Sequence, residues 1–171
     1  MLKIKNVSAK NFMSVGNNLQ AVNFDNCQLT LVLGHNLDMG GDGSRNGTGK
    51  TTIINALSYA LYGEALTNIR RDNLINKTNG KGMITTVEFE IEGKAYRIER
   101  GRRPNVLRLF IDGTDALDNE QQGDSRETQK EIEKIIGFPH KMFKHLIALN
   151  TYTEPFLSMK NNDQRDMIEQ L

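Results

Sequence analysis

The stretch from Ser44 to Thr52, SRNGTGKTT, constrains what this chain can fold into more than any other. It runs directly into the helical pattern IINALSYALYG, Ile53 to Gly63, and it follows the apolar run LTLVL, Leu29 to Leu33. Strand, glycine loop and helix in that order are the layout of a phosphate-binding P-loop. Glycines at 47 and 49 let the backbone turn its N–H groups around a polyphosphate, and the positive end of the following helix faces the same anion. Lys50 reaches the terminal phosphates and serves catalysis, the Thr51 hydroxyl suits Mg²⁺, and Arg45 and Thr48 belong to the same loop as Gly47 and Gly49. Ile53, Ala56, Leu57, Ala60 and Leu61 share one face of the predicted helix.

The spacing departs from the usual pattern at one point. A glycine is expected five positions before Gly49, where this chain has Ser44; Gly43 is one residue early and Gly34 closes the strand. The segment HNLDMGGDGS, His35 to Ser44, therefore reads as an excursion inserted between Gly34 and the RNGTGKT core. Its aspartates, Asp38 and Asp42, are expected to keep it away from phosphates.

Composition narrows the remaining classes. With 171 residues, 37% of them hydrophobic, the chain has the size of one domain, or a piece of one, with a real core. Lys and Arg total 22 against 21 Asp and Glu, so no overall basic field draws nucleic acid and any DNA contact must come from a local patch. A single cysteine, Cys27, excludes a disulfide framework within the chain and fits a reducing cytoplasm. No apolar run approaches the roughly 20 residues of a bilayer span, so no membrane association is expected.

Two alternating runs, Leu2 to Ala9 and Leu19 to Phe24, read as an antiparallel pair joined by the loop NFMSVGNN. Lys10, Asn11 and Ser14 in that turn are polar groups that could face a nucleotide. Glu64 to Gly82 is polar and turn-rich; within it Arg70 and Arg71 read as a solvated charge pair. Asn76 to Asn79, NKTN, lacks the final Asp of a guanine-reading element and reads as a turn. Ile84 to Ile91, Ala95 to Gly101 and Val106 to Asp112 form an antiparallel meander, with Asp112-Gly113 as a turn signal. Arg97, Arg100, Arg102, Arg103 and Arg108 lie on or beside it. They read as a solvated strand face, with a grip on a DNA backbone as the other use.

The run LRLFID imitates a strand ending in a Mg²⁺-supporting Asp, but Gly113 follows where a catalytic Glu would stand. A hairpin turn accounts for Asp112. A helix is expected over Asp124 to Gly137, with Asp124 at the cap, Ile132, Ile135 and Ile136 inward and Gly137 at the stop. A second begins after Pro139; His140 and His145 are five apart, off one helix face, and do not suggest a metal site. A last helix restarts near Asn162 or Asp163, with Ile168 and Leu171 beginning an apolar stripe, and its lack of a stop signal suggests that the natural protein continues.

Taken together, NFMSVG, RNGTGKT, INALSYALYG, the meander and RDMIEQL resemble the N-terminal half of the nucleotide-binding head of the SMC-like ATPases of double-strand-break repair. The SbcC type and the large subunits of bacteriophage recombination endonucleases are the nearest forms. The resemblance implies an α/β fold of ABC/SMC type, a mixed sheet whose antiparallel meander packs on the P-loop helix. It also implies residues 1–160 as the lobe and 161–171 as the start of a coiled-coil stalk. It further implies ATP and Mg²⁺, the C-terminal half of the same head, a second head in a homodimer, a nuclease subunit of SbcD type, double-stranded DNA ends, and a cytoplasmic location, that of the host if the source is viral. The signature motif, Walker B and general base would lie in that C-terminal half, so this stretch alone should bind nucleotide weakly and hydrolyse little.

Residue by residue, Asn46, Gly47, Gly49, Lys50, Thr51 and Thr52 match the family's phosphate and metal contacts. Met13 stands where the family often has a phosphate-directed Arg, with Lys10 as a substitute. Asn150 falls near the family's Mg²⁺-touching glutamine, and Thr67 to Arg70, including Ile69 and Arg70, occupy the region that approaches adenine. Two other readings are a self-contained P-loop kinase, which would need a parallel sheet after the P-loop, and a DNA-binding or assembly module with a structural P-loop.

Overall fold

The computed structural model describes residues 1–25, 29–36, 47–116, 125–149 and 154–169. Its centre is an antiparallel sheet of six strands: β1 (Leu2–Lys10), β2 (Gln20–Asn23), β3 (Met83–Ile91), β4 (Lys94–Arg102), β5 (Val106–Ile111) and β6 (Thr114–Asp115), in the order β2-β1-β3-β4-β5-β6. The predicted leading pair and meander are both present. They are halves of one sheet, because β1 pairs along almost its whole length with β3.

Turn chemistry sets the register. Glu92 and Gly93 both have positive φ, 52° and 80°, as do Asp112 and Gly113, 49° and 82°. Two such residues in succession match the twist of the flanking strands. Asp112 accepts the Ala95 N–H through Oδ1 at 2.9 Å, which makes it a hairpin residue and not a metal ligand.

One face of the sheet is apolar. Val7, Ala9, Val87, Phe89, Ile98 and Leu109 are buried there under the helix α1 (Lys50–Tyr62). Ala56 and Ala60 are small enough to bring the helix close. On the other side of α1 lie the segment following it and the helix α2 (Ser125–Ile136), so α1 buries almost its whole circumference from Asn55 to Tyr62. Helix α2 puts Ile132 and Ile136 into this core and ends at Gly137, whose N–H bonds Glu133 O at 2.9 Å. The predicted Asp124 cap lies outside the described residues.

Beyond α2, the short helix α3 (His140–Met142) passes into a single π turn, Phe143–Ile147, and α4 spans Asn161–Ile168. Met142, Met159 and Met167 form a second, smaller cluster with Phe138 and Phe156. Here the expected stripe is displaced by one residue: Met167 is buried and Ile168 is exposed. The unbranched thioethers fill an irregular space between short helices better than a β-branched chain would. Leu171 lies outside the described residues.

The largest difference concerns the P-loop strand. Leu29 to Leu33 joins no strand, and Leu29, Leu31 and Leu33 are exposed by 92, 79 and 68%. The sheet described is therefore antiparallel throughout, without the parallel strand that would make it mixed. A parallel strand of this apolar kind is stable only between neighbours on both edges and layers on both faces. No described strand of this chain flanks it.

Candidate phosphate site at the start of α1

The glycines of the motif adopt the conformations that the chemistry asks for. Gly47 and Gly49 have φ of 74° and 82°, left-handed values that an L side chain resists. Gly49 is the residue before α1, no side chain caps the helix there, and its first turn holds no acid. Helix N-termini leave N–H groups without partners and carry partial positive charge. Among the described residues no side-chain cap or first-turn acid occupies this one.

Around that end stand the predicted side chains. Lys50 Nζ is 3.2 Å from Thr48 Oγ1, and the half-buried Lys50 stem lies along the loop. Thr51 is exposed at the mouth, whereas Thr52 is 7% exposed and its Oγ1 lies 3.0 Å from Ser14 Oγ. Ser14 is therefore brought to the P-loop, and a Cβ on Gly49 would stand 3.2 Å from its hydroxyl.

The loop carrying Ser14 is nailed down by Phe12, which is fully buried in an otherwise polar stretch. Asn11 and Met13 flank it with positive φ, 52° and 49°. Met13 N–H donates to Leu74 O at 2.7 Å and Asn76 Nδ2 donates to Met13 O at 3.0 Å. The segment after α1 doubles back along the helix to reach this point, with Leu66 N–H donating to Asn55 Oδ1 at 2.9 Å on the way. Lys10 ends β1, where strand alternation puts it on the sheet face opposite Val7 and Ala9. Ile69 and Arg70 lie exposed on the returning segment and make no hydrogen bond to the P-loop among the described residues. Arg45, Asn46 and Asn150 lie outside the described residues, as do Asp38 and Asp42.

Sequence reading gave Gly34 too small a part. A Cβ there would overlap Thr48 Oγ1 and stand 3.0 Å from Lys50 Nζ, so the glycine after the apolar run meets the P-loop. Gly34 thus supplies a close approach to Thr48 that a side chain would block. The signal was present in the sequence as a glycine closing an apolar run.

The opposite end of α1 is built differently. Gly63, φ 71°, donates its N–H to Tyr59 O, and the Arg100 guanidinium donates to Ala60 O (3.0 Å) and Leu61 O (3.3 Å) and to the Gln129 side chain. Arg100 is 9% exposed, and burial pushes its pKa down to about 10. Arg100 is thus a helix cap, not part of a solvated strand face. The other meander arginines keep that simpler role: Arg97 lies 4.0 Å over the Phe110 ring, Arg102 pairs with Asp72, and Arg103 and Arg108 are exposed. A cavity of about 890 Å³ opens at this end of α1, lined by Arg71, Arg100, Arg102 and Glu133 among others. It lies at the wrong end of the helix to be the phosphate site. His140 and His145 each have a protein partner, Ser58 and the Glu154 carbonyl.

Residues 6–171 match the AAA domain family. The chain is 33% identical over 171 residues to exonuclease subunit 2 of Enterobacteria phage T4, an alignment covering 99% of this chain and 28% of that protein. It is 26% identical over 171 residues to the DNA double-strand break repair Rad50 ATPase of Methanococcus maripaludis, covering 98% of this chain and 15% of that protein. The chain thus spans under a third of each of these relatives. A solved structure of an SMC ATPase, studied for ATP-driven dimerization and DNA-stimulated activation, superposes with a TM-score of 0.61 at 18% identity over 98% of both chains, which establishes the shared fold. With a P-loop opening α1, a meander packed on that helix and a match over nearly its whole length, the chain belongs to the AAA domain family and is similar to the phage exonuclease subunit and to Rad50.

Proposed function

We propose that this chain is the N-terminal, ATP-binding lobe of an SMC-like ATPase head that works with a nuclease subunit on double-stranded DNA ends. The observation that carries the reading is the start of α1: an uncapped helix N-terminus behind two left-handed glycines, with Lys50 beside it and no acid in the first turn. Such an end takes a phosphate tail. The residues also fit a divalent ion, since the exposed Thr51 hydroxyl follows Lys50 as in other Mg²⁺-assisted P-loops. Bound there, Mg²⁺ would offset charge on the phosphate oxygens. Lys50 holds the β- and γ-phosphates, Ser14 and Thr52 fix the loop behind them, and Arg45, Asn46, Gly47, Thr48 and Gly49 enclose the tail. Asn150 is assigned to the metal by family position alone, Lys10, Ile69 and Arg70 to nucleotide contacts on the same ground.

Hydrolysis is in-line attack of water on the γ-phosphorus with loss of ADP. The base that accepts the water's proton is assigned to the C-terminal half of the head, by family position. That half also supplies strands beside the exposed Leu29 to Leu33 run, and a second head closes over the nucleotide. Residues 1–160 form the lobe, with the stalk helix beginning at α4. Among the described residues no helix is long and apolar enough to cross a membrane. The protein acts where DNA ends are, in the cytoplasm, that of the host if the source is viral. The antiparallel meander argues against a small P-loop kinase, whose sheet would continue parallel.

The test is binding of a fluorescent ATP analogue with and without Mg²⁺, beside Lys50→Ala. Mg²⁺-dependent binding that the variant loses is expected; a folded full-length protein that ignores the analogue would end this reading.

A further inference from the structure

A second polar cluster lies midway along α1, remote from the phosphates. Ser58 is fully buried in the helix, and its Oγ lies 2.7 Å from Glu64 O and 3.0 Å from His140 Nε2. His140 Nδ1 lies 3.3 Å from Glu64 Oε2. Serine, imidazole and carboxylate in a row suggest a hydrolytic triad, but Ser58 has no exposure to any substrate, which excludes that use.

Proton counting assigns the bonds. A backbone carbonyl only accepts, so the single Ser58 hydroxyl proton goes to Glu64 O. Ser58 Oγ must then accept from His140, which requires a proton on Nε2. A carboxylate also only accepts, so the Nδ1 contact requires a proton on Nδ1. Both contacts are satisfied together only by the imidazolium.

Burial works in the other direction. Desolvation is the largest influence on His140 and holds its pKa below 6.5; Glu64 and Glu133 pull it up and Lys144 pushes it down. From α1 the Tyr62 ring packs against it at 5.2 Å, adding apolar cover. Arg71 does not face the ring but pairs with the other Glu64 oxygen, Oε1, at 3.3 Å. The cluster therefore has two forms. With a neutral ring, Nε2–H holds Ser58 and the Glu64 carboxylate turns to Arg71. With a charged ring, Glu64 spans Arg71 and His140, and the segment starting at His140 is fastened to the P-loop helix at two points.

We propose that His140 is a positioning residue for the phosphate site: with Ser58 and Glu64 it forms a proton-dependent clasp that ties the α3 and π-turn segment to the helix bearing Lys50. The inference rests on the nucleotide reading above for its functional consequence, and on geometry alone for the clasp.

Two measurements on the full-length protein separate these. In ¹⁵N NMR of the histidine rings, His140 is expected as the Nε2–H tautomer near neutral pH, titrating below 6.5, with Glu64→Gln moving its titration lower still. A ring that titrates near 6.5 and is unmoved by Glu64→Gln overturns the clasp, whatever nucleotide does. The second measurement is the affinity for Mg²⁺-ATP from pH 7.5 to 5.5 in the wild type and in His140→Gln, whose amide still donates to Ser58 but cannot titrate. Because ATP itself protonates in this range, the ratio of the two affinities is read. It is expected to rise about 3-fold in favour of the wild type on acidification, a fraction of the tenfold that one net hydrogen bond could supply. A ratio flat across that range removes the positioning role. Loss of binding in the wild type at every pH, with normal NMR behaviour, would instead count against the nucleotide reading.

Discussion

The two ends of α1 face the same problem and solve it in opposite ways. A helix leaves four N–H groups unpaired at its start and four carbonyls at its finish. At the finish, Gly63, Arg100 and Gln129 converge on the carbonyls of Tyr59, Ala60 and Leu61. At the start, no side chain caps the helix and the first turn is free of acids. A stability argument explains the first end completely. The second has no such side-chain cap among the described residues and suits the anion proposed above, and the contrast within one helix sets a structural terminus beside a candidate functional one.

Substitutions at the two ends should therefore divide cleanly between affinity and stability. The largest effect is expected at the start: Lys50→Ala should weaken Mg²⁺-ATP binding about 10- to 100-fold, the range of one charge-assisted hydrogen bond, with little change in a denaturation midpoint. If Lys50→Ala unfolds the protein, the start of α1 is a structural terminus too. At the finish, Arg100→Ala should cost about 2–3 kcal/mol in chemical denaturation, because Ala60 O and Gln129 Oε1 lose their donor and Leu61 O keeps only the Gln129 amide. A nucleotide affinity that falls as far as in Lys50→Ala would erase the distinction. Gly63→Ala is expected to cost about 1–2 kcal/mol, since φ of 71° disfavours a Cβ that would also press on the Arg100 guanidinium.

The smallest effect concerns the middle of the helix. The folded state holds His140 below its unfolded value of 6.5. Its contribution is thus fully present above 6.5 and is lost as pH falls from there through the lower folded value. Acid-limb denaturation curves should show His140→Gln less sensitive than the wild type across that window. The reverse order would mean that Glu64 outweighs burial.

Much of this division was legible in residue types. GTGKTT announced the left-handed glycines and the helix after them, and Asp112-Gly113 announced a hairpin instead of a metal ligand. Arg100 was not legible as a cap, because nothing local distinguishes it from Arg102 or Arg108; only the register of β4 aims it at the end of α1. Nothing in the sequence pairs Ser58 with His140, which is 82 positions away.

Local physics explains which features the sequence determined by itself. Turn residues, glycine conformations, strand alternation and the P-loop depend on neighbours a few positions apart, so the chain specifies them wherever it sits. Burial and pairing depend on what meets across the fold. Tertiary structure alone decided that β1 joins β3, that Met167 is covered and Ile168 is not, and that Leu29 to Leu33 stays unpaired. An apolar run codes for a strand only when other strands are there to accept its hydrogen bonds.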